Sequence, residues 1–287
     1  MRKSVTGVLL TIVLTTLLLT GSAQSKEFYR IGQDYRALAM GNTGITTANN
    51  SSALFYNPAA MSNIFSWWVD MPGLQFAYSD NWADAYERYS NGVKFENQSE
   101  IFDFLDDEIG EAYYLRVNAA VNAFVNMDPK GFTLGANYTY EYLLDFSIQN
   151  ASAPEMEYLS RLDLIKQFGF SYPIGLGQIV VGATYKQINR NELLGVYTYA
   201  DALNEVDFPD FTSVASGGGN NGAGTGYDLG FIYRTSTAAH ISWGMVYRSK
   251  IDLEDATEIP AQVDFGISMR QESLMFRWIL AMDIRDM

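Results

Sequence analysis

The chain of 287 residues contains no cysteine and only one histidine, His240. Without cysteine it can form no disulfide and carry no lipid-modified amino-terminal cysteine, so a lipoprotein is excluded. A histidine-based metal site or a catalytic triad would need partner residues that the sequence does not offer. We therefore expect no cofactor, no metal site and no enzymatic activity.

Positive charge and long apolar runs are also scarce. The chain has 19 lysines and arginines against 33 aspartates and glutamates, which gives a formal net charge of −14. Because phosphate binding needs a positively charged surface, we expect no nucleic-acid partner. After the amino terminus no stretch is apolar over about twenty residues, which argues against a protein that crosses the inner membrane with helices.

The amino terminus has the layout of a cleavable export signal. Two basic residues precede an apolar run at residues 8–19, and small residues follow it. The run is too short for a membrane-spanning helix, and the order of basic, apolar and small residues is typical of a signal peptide. We predict a signal peptide over residues 1–25, with the cleavage site between Ala23 and Ser25.

What the sequence does contain is an alternation of apolar and polar residues that returns along most of the chain. Between Leu115 and Met127 the odd positions are apolar, and the even positions include Arg116, Asn118 and Asn122. A period of two residues indicates β-strands. Nine segments have this pattern, near residues 67–79, 114–127, 132–146, 161–174, 178–190, 227–234, 240–250, 261–270 and 274–285.

Most of these segments are long enough to cross a bilayer at a tilt, and one face of the sheet is apolar and rich in tyrosine. We therefore predict an all-β fold, namely a transmembrane antiparallel β-barrel over residues 66–287. Short turns alternate with longer connectors at residues 80–113, 147–160, 191–226 and 251–260. Outer-membrane barrels have short periplasmic turns and long extracellular loops, so we expect the longer connectors on the outer side.

Nine is an unusual number of strands for such a barrel. Bacterial single-chain barrels have an even number of strands, and the last predicted segment ends without a terminal aromatic residue. We expect that the chain lacks carboxy-terminal strands of the barrel. A miscount by one strand is the alternative interpretation.

A second signal lies before the first predicted strand. Residues 36–61 read RALAMGNTGITTANNSSALFYNPAAM, which resembles the amino-terminal segment of the FadL-type outer-membrane transporters, a family that also includes TodX-like hydrocarbon channels. In that family the segment forms a small hatch that plugs the barrel from the periplasmic side. The resemblance implies the outer membrane of a diderm bacterium and a hatch over residues 26–65, with gating positions at Gly41, Gly44, Asn57, Pro58 and Ala59.

Physical chemistry supports a compact irregular segment here. Gly41 and Gly44 permit tight backbone turns, and Pro58 forces Asn57 out of the helical region. The asparagines and serines of residues 49–52 can satisfy nearby backbone groups with their side chains. Such a segment suits the interior of a barrel, where irregular backbone is tolerated at membrane depth. An ordinary periplasmic leader is the alternative interpretation.

Charges on the inner face are the natural place for ligand binding. The strand phases predict that most inward acids and bases pair across strands, and that a basic residue left over could hold an anionic head group. Lys166 falls on the lipid-facing phase, so either a bulge or a partner is expected there. An amphipathic helix is predicted near residues 99–110, and its apolar residues Phe104 and Leu105 are further candidates for binding a hydrophobic ligand. The ligand-binding candidates are Arg116, Lys186, Arg248, Phe104 and Leu105.

Two functions from different classes agree with these features. The FadL-type resemblance implies an outer-membrane channel for passive uptake of hydrophobic small molecules, such as long-chain fatty acids or hydrocarbons. Its partners would be outer-membrane lipid and the hydrophobic ligand. The alternative follows because secretion-linked barrels resembling PorV carry a similar amino-terminal stretch, and the FadL-type barrel has more strands than this chain can supply. In that case a protein partner would bind the outer loops or the periplasmic face.

Overall fold

The computed structural model describes residues 35–64, 66–82, 107, 109–127, 132–150, 154–175, 177–204, 209–235, 240–272 and 277–285. The predicted signal peptide over residues 1–25 lies outside the described residues. Most of the predicted amphipathic helix at residues 99–110 also lies outside them, including Phe104 and Leu105.

The described chain begins with short helices and continues as a series of strands. The first elements are helix α1 (Tyr35–Ala39), helix α2 (Ala53–Tyr56) and a 3-10 helix (Pro58–Asn63). Helix α3 (Tyr199–Leu203) and a second 3-10 helix (Ser213–Ser216) lie between the fifth and sixth strands. The strands are β1 (Trp68–Tyr78), β2 (Ala112–Asn126), β3 (Thr133–Gln149), β4 (Glu155–Ile174), β5 (Ile179–Thr198), β6 (Asn220–Arg234), β7 (Ile241–Arg248), β8 (Gln262–Glu272) and β9 (Arg277–Ile284).

The strands form one sheet in which each strand pairs antiparallel with the next one in the chain, from β1 to β9. The pairing of β2 through β6 is continuous in register, whereas the pairing of β1 with β2 is irregular between Asp70 and Gly73. The predicted all-β fold is confirmed, and each predicted strand overlaps one strand of the sheet. Among the described residues, no helix is both long and apolar enough to cross a membrane.

Strands β2 to β6 are longer than the alternation predicts, and the difference is largest for β4, β5 and β6. Strands β4, β5 and β6 extend at the ends that were predicted to be long connectors, so the predictions of connectors over residues 147–160 and 191–226 were wrong in extent. The beginning of β6 was missed because Gly222, Gly224 and Gly226 have little intrinsic preference for strands. These glycines are nevertheless part of the strand because they pair with β5, in a register that begins with Glu192 opposite Asn220.

The two faces of the sheet differ in a consistent way. On β2 the polar side chains of Arg116, Asn118 and Asn122 are buried, whereas Val121 and Val125 are exposed. The same holds on β4, where Gln167, Gly169 and Ser171 are buried and Phe168, Phe170 and Tyr172 are exposed. We call the first the inner face and the second the outer face. The predicted period of two is confirmed, and the exposed face is the apolar one.

An aromatic cluster packs against the outer face where the longest strands end. We call it the rim cluster, and its buried members are Tyr113, Leu144, Phe146, Ile148, Met156 and Tyr197. The connector between β5 and β6 adds Phe211, whose ring is parallel to that of Phe146 with 5.7 Å between their centroids. The hydroxyls of Ser160 and Tyr142 donate to the carbonyl oxygen of Phe211, at 2.7 Å and 3.3 Å. The described part of this connector is therefore held on the sheet.

Acidification should loosen this connector next to Phe211. The Oδ1 atom of Asp210 accepts hydrogen bonds from the hydroxyl (2.7 Å) and amide (3.0 Å) of Thr212, and the hydroxyl bond is the largest cause that lowers the pKa of Asp210. Because the folded pKa is lowered, the stabilisation is present above the ordinary pKa of about 3.9 and is lost as the pH falls through the folded value. Hydrogen exchange of the Thr212 amide, corrected for its intrinsic pH dependence, should lose protection over that interval.

The Asp210→Ala variant is the control for this pH effect. It lacks the carboxylate at every pH, so its Thr212 amide should exchange rapidly throughout. If the variant keeps the acid-dependent loss of protection, another group is responsible for it.

Candidate functional site

Residues 35–64, which we call the amino-terminal segment, pack against the inner face of the sheet. The 3-10 helix Pro58–Asn63 lies against β3, β4, β5 and β6. Ala59, Ala60 and Met61 of this helix are fully buried. They share one core cluster with Phe124 of β2, Val180 of β5 and Ile232 of β6. These three apolar residues of the inner face therefore hold the segment.

A row of glycines brings the segment close to the sheet. Six consecutive strands each contribute one glycine that faces the segment, and we call this row the glycine stripe: Gly135, Gly169, Gly182, Gly230, Gly244 and Gly266. A Cβ atom built on Gly182 would lie 2.5 Å from the backbone nitrogen of Ala59. The cross-strand register places Gly135 opposite Gly169, Gly182 opposite Gly230, and Gly244 opposite Gly266.

Sequence reasoning missed the glycine stripe. Its signal was available, since each of these glycines lies on the inward phase of a predicted strand. The register between strands, which brings the six positions together, could not be read from the pattern of a single strand.

Gly41 and Asn57 adopt the backbone conformations that the sequence predicted. Gly41 has a φ of 71°, and Asn42 follows it with a φ of 62°. Asn57, directly before Pro58, is extended, with φ −160° and ψ 114°, as the steric effect of a following proline requires. At Gly44 a Cβ atom would overlap the ring of Tyr56. A larger residue would therefore not fit at position 44, although the backbone there does not have a positive φ.

The side chain of Asn57 joins the segment to itself and to the sheet. Asn57 is fully buried. Its Oδ1 atom accepts from the Ala59 amide at 3.0 Å, while its Nδ2 atom donates to the carbonyl oxygens of Ile45 at 3.0 Å and Phe231 at 3.2 Å. The structure thus brings Gly44, Asn57, Pro58 and Ala59 to one interface, whereas Gly41 is exposed. Their role in gating stays a prediction.

Two arginines of the sheet bind different parts of the segment. Arg234 at the end of β6 donates to the hydroxyl of Ser62 at 3.1 Å and to Oδ1 of Asn63 at 2.7 Å. Arg248 at the end of β7 donates to the carbonyl oxygens of Phe55 at 3.2 Å and Tyr56 at 2.9 Å. These carbonyls belong to the short helix α2, whose last turn leaves them without intrahelical partners.

The residues at the end of β9 bind the first turn of the segment. The Oδ2 atom of Asp283 accepts from the amides of Gly44 at 2.7 Å and Ile45 at 3.1 Å. Arg285 pairs with Asp283 at 2.9 Å, donates to the carbonyl oxygen of Asn42, and lies over the ring of Tyr56 at 5.1 Å from the centroid. The segment is therefore bound by β6, β7 and β9 as well as packed on the glycine stripe.

Ion pairs occupy the inner face beyond the segment, and we call them the ion-pair belt. All of the side chains in the belt are at most 13% exposed. The prediction that the inward charges pair across strands is confirmed for four of these pairs, whereas Arg161 and Asp163 lie on the same strand, and Arg161 reaches across to Glu141 of β3 at 3.8 Å. The pairs are Arg116 with Glu141 (2.6 Å), Arg161 with Asp163 (3.1 Å), Arg190 with Asp163 (2.8 Å), Lys186 with Asp228 (2.5 Å) and Arg248 with Asp264.

The three basic ligand-binding candidates all lie in this belt. Each of Arg116, Lys186 and Arg248 already faces a carboxylate, and Arg248 also binds the amino-terminal segment. An anionic ligand would have to displace that carboxylate, because none of the three is a cation left over. Ligand binding by these residues stays a prediction.

Lys166 lies on the outer face, as the phase predicted. It is half-buried, and it pairs in register with Tyr138 on one side and Gln187 on the other. The register of β3, β4 and β5 runs through this position without a shift, so the predicted bulge is not the explanation. A covering partner stays a prediction.

The connector between β7 and β8 folds over the inner face instead of extending away from the sheet. Ile251 and Leu253 are buried, and the connector lies against Gly222, Gly224 and Gly226 of β6. Arg190 of the ion-pair belt donates to the carbonyl oxygen of Thr257 at 3.1 Å. Three successive inward-facing glycines of β6 leave space for this connector on the sheet, and its predicted position on the outer side of a membrane stays a prediction.

The described part of the chain contains no cluster of three or more potential metal ligands. No family model, curated protein or solved structure matches the chain. The resemblance of residues 36–61 to the FadL-type segment therefore stays a prediction.

The close approach at the glycine stripe can be tested with a matched pair of substitutions. Gly182→Ala should push the amino-terminal segment off the sheet or strain its backbone, at a cost of about 1–3 kcal/mol. Gly73→Ala in β1 is the control, because its Cβ atom would meet only the carbonyl oxygen of Ala120 at an ordinary 3.5 Å. Thermal unfolding and protease cleavage within residues 35–64 measure both effects. Equal behaviour of the two variants would show that the glycine stripe is not needed for docking of the segment.

Proposed function

We propose that this protein is an outer-membrane β-barrel that takes up hydrophobic small molecules, and that its amino-terminal segment is the gate. The observation that carries the proposal is the reversed polarity of the sheet, with ion pairs buried on the inner face and large apolar side chains exposed on the outer face. In water such an exposed apolar surface would be unfavourable by about 25 cal/mol for each Å². In a bilayer the same surface contacts the hydrocarbon chains of the lipid, which is favourable.

The arrangement of aromatic residues on the outer face supports a membrane position. Phe168, Tyr185 and Tyr227 follow one another across β4, β5 and β6 in register. At the end of β6, Tyr233 pairs with Trp243. These side chains are 40% or more exposed. Two rows of aromatic residues at different heights are typical of the interfacial girdles of membrane barrels.

The contacts of the amino-terminal segment support a role as a gate. The segment accepts hydrogen bonds from Arg234 and Arg248, donates to the carboxylate of Asp283, and approaches the strands closely at the glycine stripe. Such contacts can be broken and remade as a unit. On the inner face, the segment and the connector over residues 251–260 lie on opposite sides of the ion-pair belt. Passage of a ligand therefore requires movement of the segment.

The second candidate function is a PorV-like barrel that binds a protein partner. The observation that favours it is the occupied inner face, where the three basic ligand-binding candidates are all neutralised by protein carboxylates. In that case the segment is a permanent structural element. The two functions differ in whether release of the segment changes permeability.

If the outer face lies in a membrane, the destabilisation caused by an arginine substitution should depend strongly on its position in the strand. Leu229 is 50% exposed on the outer face of β6, between Tyr227 and Phe231. Leu229→Arg should destabilise the folded protein in lipid by about 2–4 kcal/mol, as expected for arginine near the bilayer midplane. Ala223→Arg is the control, since Ala223 is exposed on the same face of β6 among polar neighbours. Urea unfolding in vesicles measures both, and equal stabilities would contradict insertion of this face.

Uptake through a gate predicts that weakening the segment raises permeability. Arg248→Met removes two hydrogen bonds to the segment and leaves Asp264 buried without its ion pair, which costs about 3–5 kcal/mol. Vesicles containing this variant should accumulate a fluorescent long-chain fatty acid faster than vesicles with the unmodified chain.

The control for this measurement is Lys250→Met, which removes the same charge. Lys250 forms an ion pair with Glu258 in which both side chains are more than half exposed, so little change is expected. If neither the unmodified chain nor Arg248→Met takes up the fatty acid, the result would contradict the transport function and favour the protein-binding one.

A further inference from the structure

One charged residue differs from all others on strands β2 to β7. Every other aspartate, glutamate, lysine and arginine of these strands lies on the inward phase, and Lys166 of β4 alone lies on the outward phase. Its side chain is half-buried. Because a lysine on a lipid-facing surface is unfavourable at the middle of a bilayer, the surroundings of Lys166 need an explanation.

No acidic side chain of the described strands neutralises Lys166. The residues directly opposite it are Tyr138 of β3 and Gln187 of β5, and the diagonal positions on both strands are uncharged as well. The next outward residues on its own strand are Leu164 and Phe168. The basic ligand-binding candidates of the ion-pair belt each face a carboxylate, whereas Lys166 faces none on the strands beside it.

Lys166 lies where the outer face changes from apolar to polar. On β5 the outward residues are apolar or aromatic up to Tyr185 and polar at the next outward position, Gln187. On β6 the same change occurs between Tyr227 and Thr225. The register aligns Lys166 with Gln187, and Gln187 with Thr225. We call these three residues the polar row.

The level of the polar row agrees with the head-group region of a membrane. The neighbouring row of outward residues on the same strands is aromatic and consists of Phe168, Tyr185 and Tyr227. Aromatic girdles of membrane barrels lie at the boundary between the hydrocarbon and the head groups. Beyond this aromatic row the outward residues are apolar, so the polar row is on the head-group side. In a membrane, Lys166 would therefore lie near the lipid phosphates and not at the bilayer midplane.

The polar row carries hydrogen-bond donors that suit a phosphate group. The Lys166 ammonium has three N–H donors, the Gln187 amide has two, and the Thr225 hydroxyl has one. The Cβ atoms of directly opposite residues are about 4.5–5.5 Å apart, so the long side chains of Lys166 and Gln187 can reach the same phosphate. Hydrogen bonds from an ammonium to a phosphate are stronger than those between neutral groups.

We propose that Lys166, Gln187 and Thr225 bind the phosphate of a negatively charged membrane lipid. The charge of the polar row selects this occupant, because the row has one cation and no acidic neighbour on the described strands. The acyl chains of the lipid then lie along the aromatic row and the apolar residues beyond it. The lipid is the covering partner of Lys166, and no bulge is needed. The proposal rests on the proposed membrane position of the outer face and not on transport.

Native mass spectrometry of the full chain tests the site. The protein is released from detergent micelles that contain either phosphatidylglycerol, which is negatively charged, or phosphatidylcholine, whose head group has no net charge. The unmodified chain should retain phosphatidylglycerol about tenfold more tightly, as expected for one hydrogen bond to a charged group. Lys166→Gln should lose this preference. Absence of the preference in the unmodified chain would overturn the proposal.

Lys250→Gln is the control for the loss of charge alone. It removes the same positive charge from an exposed ion pair with Glu258, and it should keep the preference for phosphatidylglycerol. If Lys166→Gln also keeps the preference, or if both variants lose it, the preference does not come from the polar row and the proposal is overturned.

A pair of glutamine variants tests the rest of the polar row. Gln187→Leu removes the donors next to Lys166 and should lower the preference severalfold. Gln271→Leu is the matched control, because Gln271 is exposed on the outward phase of β8, three strands from β5 in the order of the sheet. It should leave the preference unchanged. Equal preferences in the two glutamine variants would contradict the proposed site.

The same spectra report how many copies of the chain associate, which tests another occupant. A dimer of the unmodified chain that is lost in Lys166→Gln, with equal retention of both lipids, would mean that a second copy covers the lysine. That result would overturn the lipid site.

Failure of the lipid site can be distinguished from failure of the membrane position. In vesicles containing phosphatidylglycerol, Phe170→Cys should be protected from a charged, water-soluble maleimide. Protection of this cysteine without any lipid preference in the mass spectra would overturn the lipid site alone. Rapid labelling of the cysteine would contradict both the membrane position and the lipid site.

Discussion

The requirement that a buried charge has an opposite charge beside it organises the inner face of this sheet. The acids and bases of the ion-pair belt come from β2 through β8 and are removed from solvent. Losing one member of such a pair leaves an uncompensated charge, which costs about 3–5 kcal/mol. The strand register is therefore strongly constrained, because a shift by one residue would turn every charged side chain to the apolar outer face.

The same constraint explains how the amino-terminal segment is held. Next to the belt the inner face carries glycines and small polar residues, and these let an irregular segment approach the backbone of the strands. Arg248 connects the two regions, since it pairs with Asp264 in the belt and donates to the carbonyl oxygen of Tyr56 in the segment. Binding of the segment and pairing of the charges are thus coupled through one side chain.

Much of the fold could be predicted from the sequence, because a period of two residues is a local property. The phase placed Arg116 and Lys186 on the inner face and Lys166 on the outer one, as the structure has them. The proline rule likewise gave the extended conformation of Asn57. What the sequence did not reveal depends on register and on long-range packing. The start of β6 is rich in glycine and is stabilised by pairing with β5, and the glycine stripe exists only once six strands are aligned.

The candidate site was predictable only in part for a related reason. The segment over residues 36–61 has turn chemistry that is visible locally, whereas its partners Arg234, Asp283 and Arg285 lie more than 170 residues away in the chain. The three basic ligand-binding candidates were chosen by strand phase alone, and phase does not show that each of them has a carboxylate beside it. The connector over residues 251–260 turned inward because three glycines of β6 make room for it, a relation that hydrophobic periodicity does not contain.

The central claim is that the apolar outer face lies in lipid. The chain has no cysteine, so single cysteines can be introduced on β4 and β6 without background labelling. In vesicles, Phe168→Cys and Phe170→Cys should react with a lipid-soluble maleimide and not with a charged, water-soluble one. Ala223→Cys, on the exposed polar part of β6, should react with the water-soluble reagent. Labelling of Phe168→Cys and Phe170→Cys by the water-soluble reagent at the rate of Ala223→Cys would contradict a membrane position of this face.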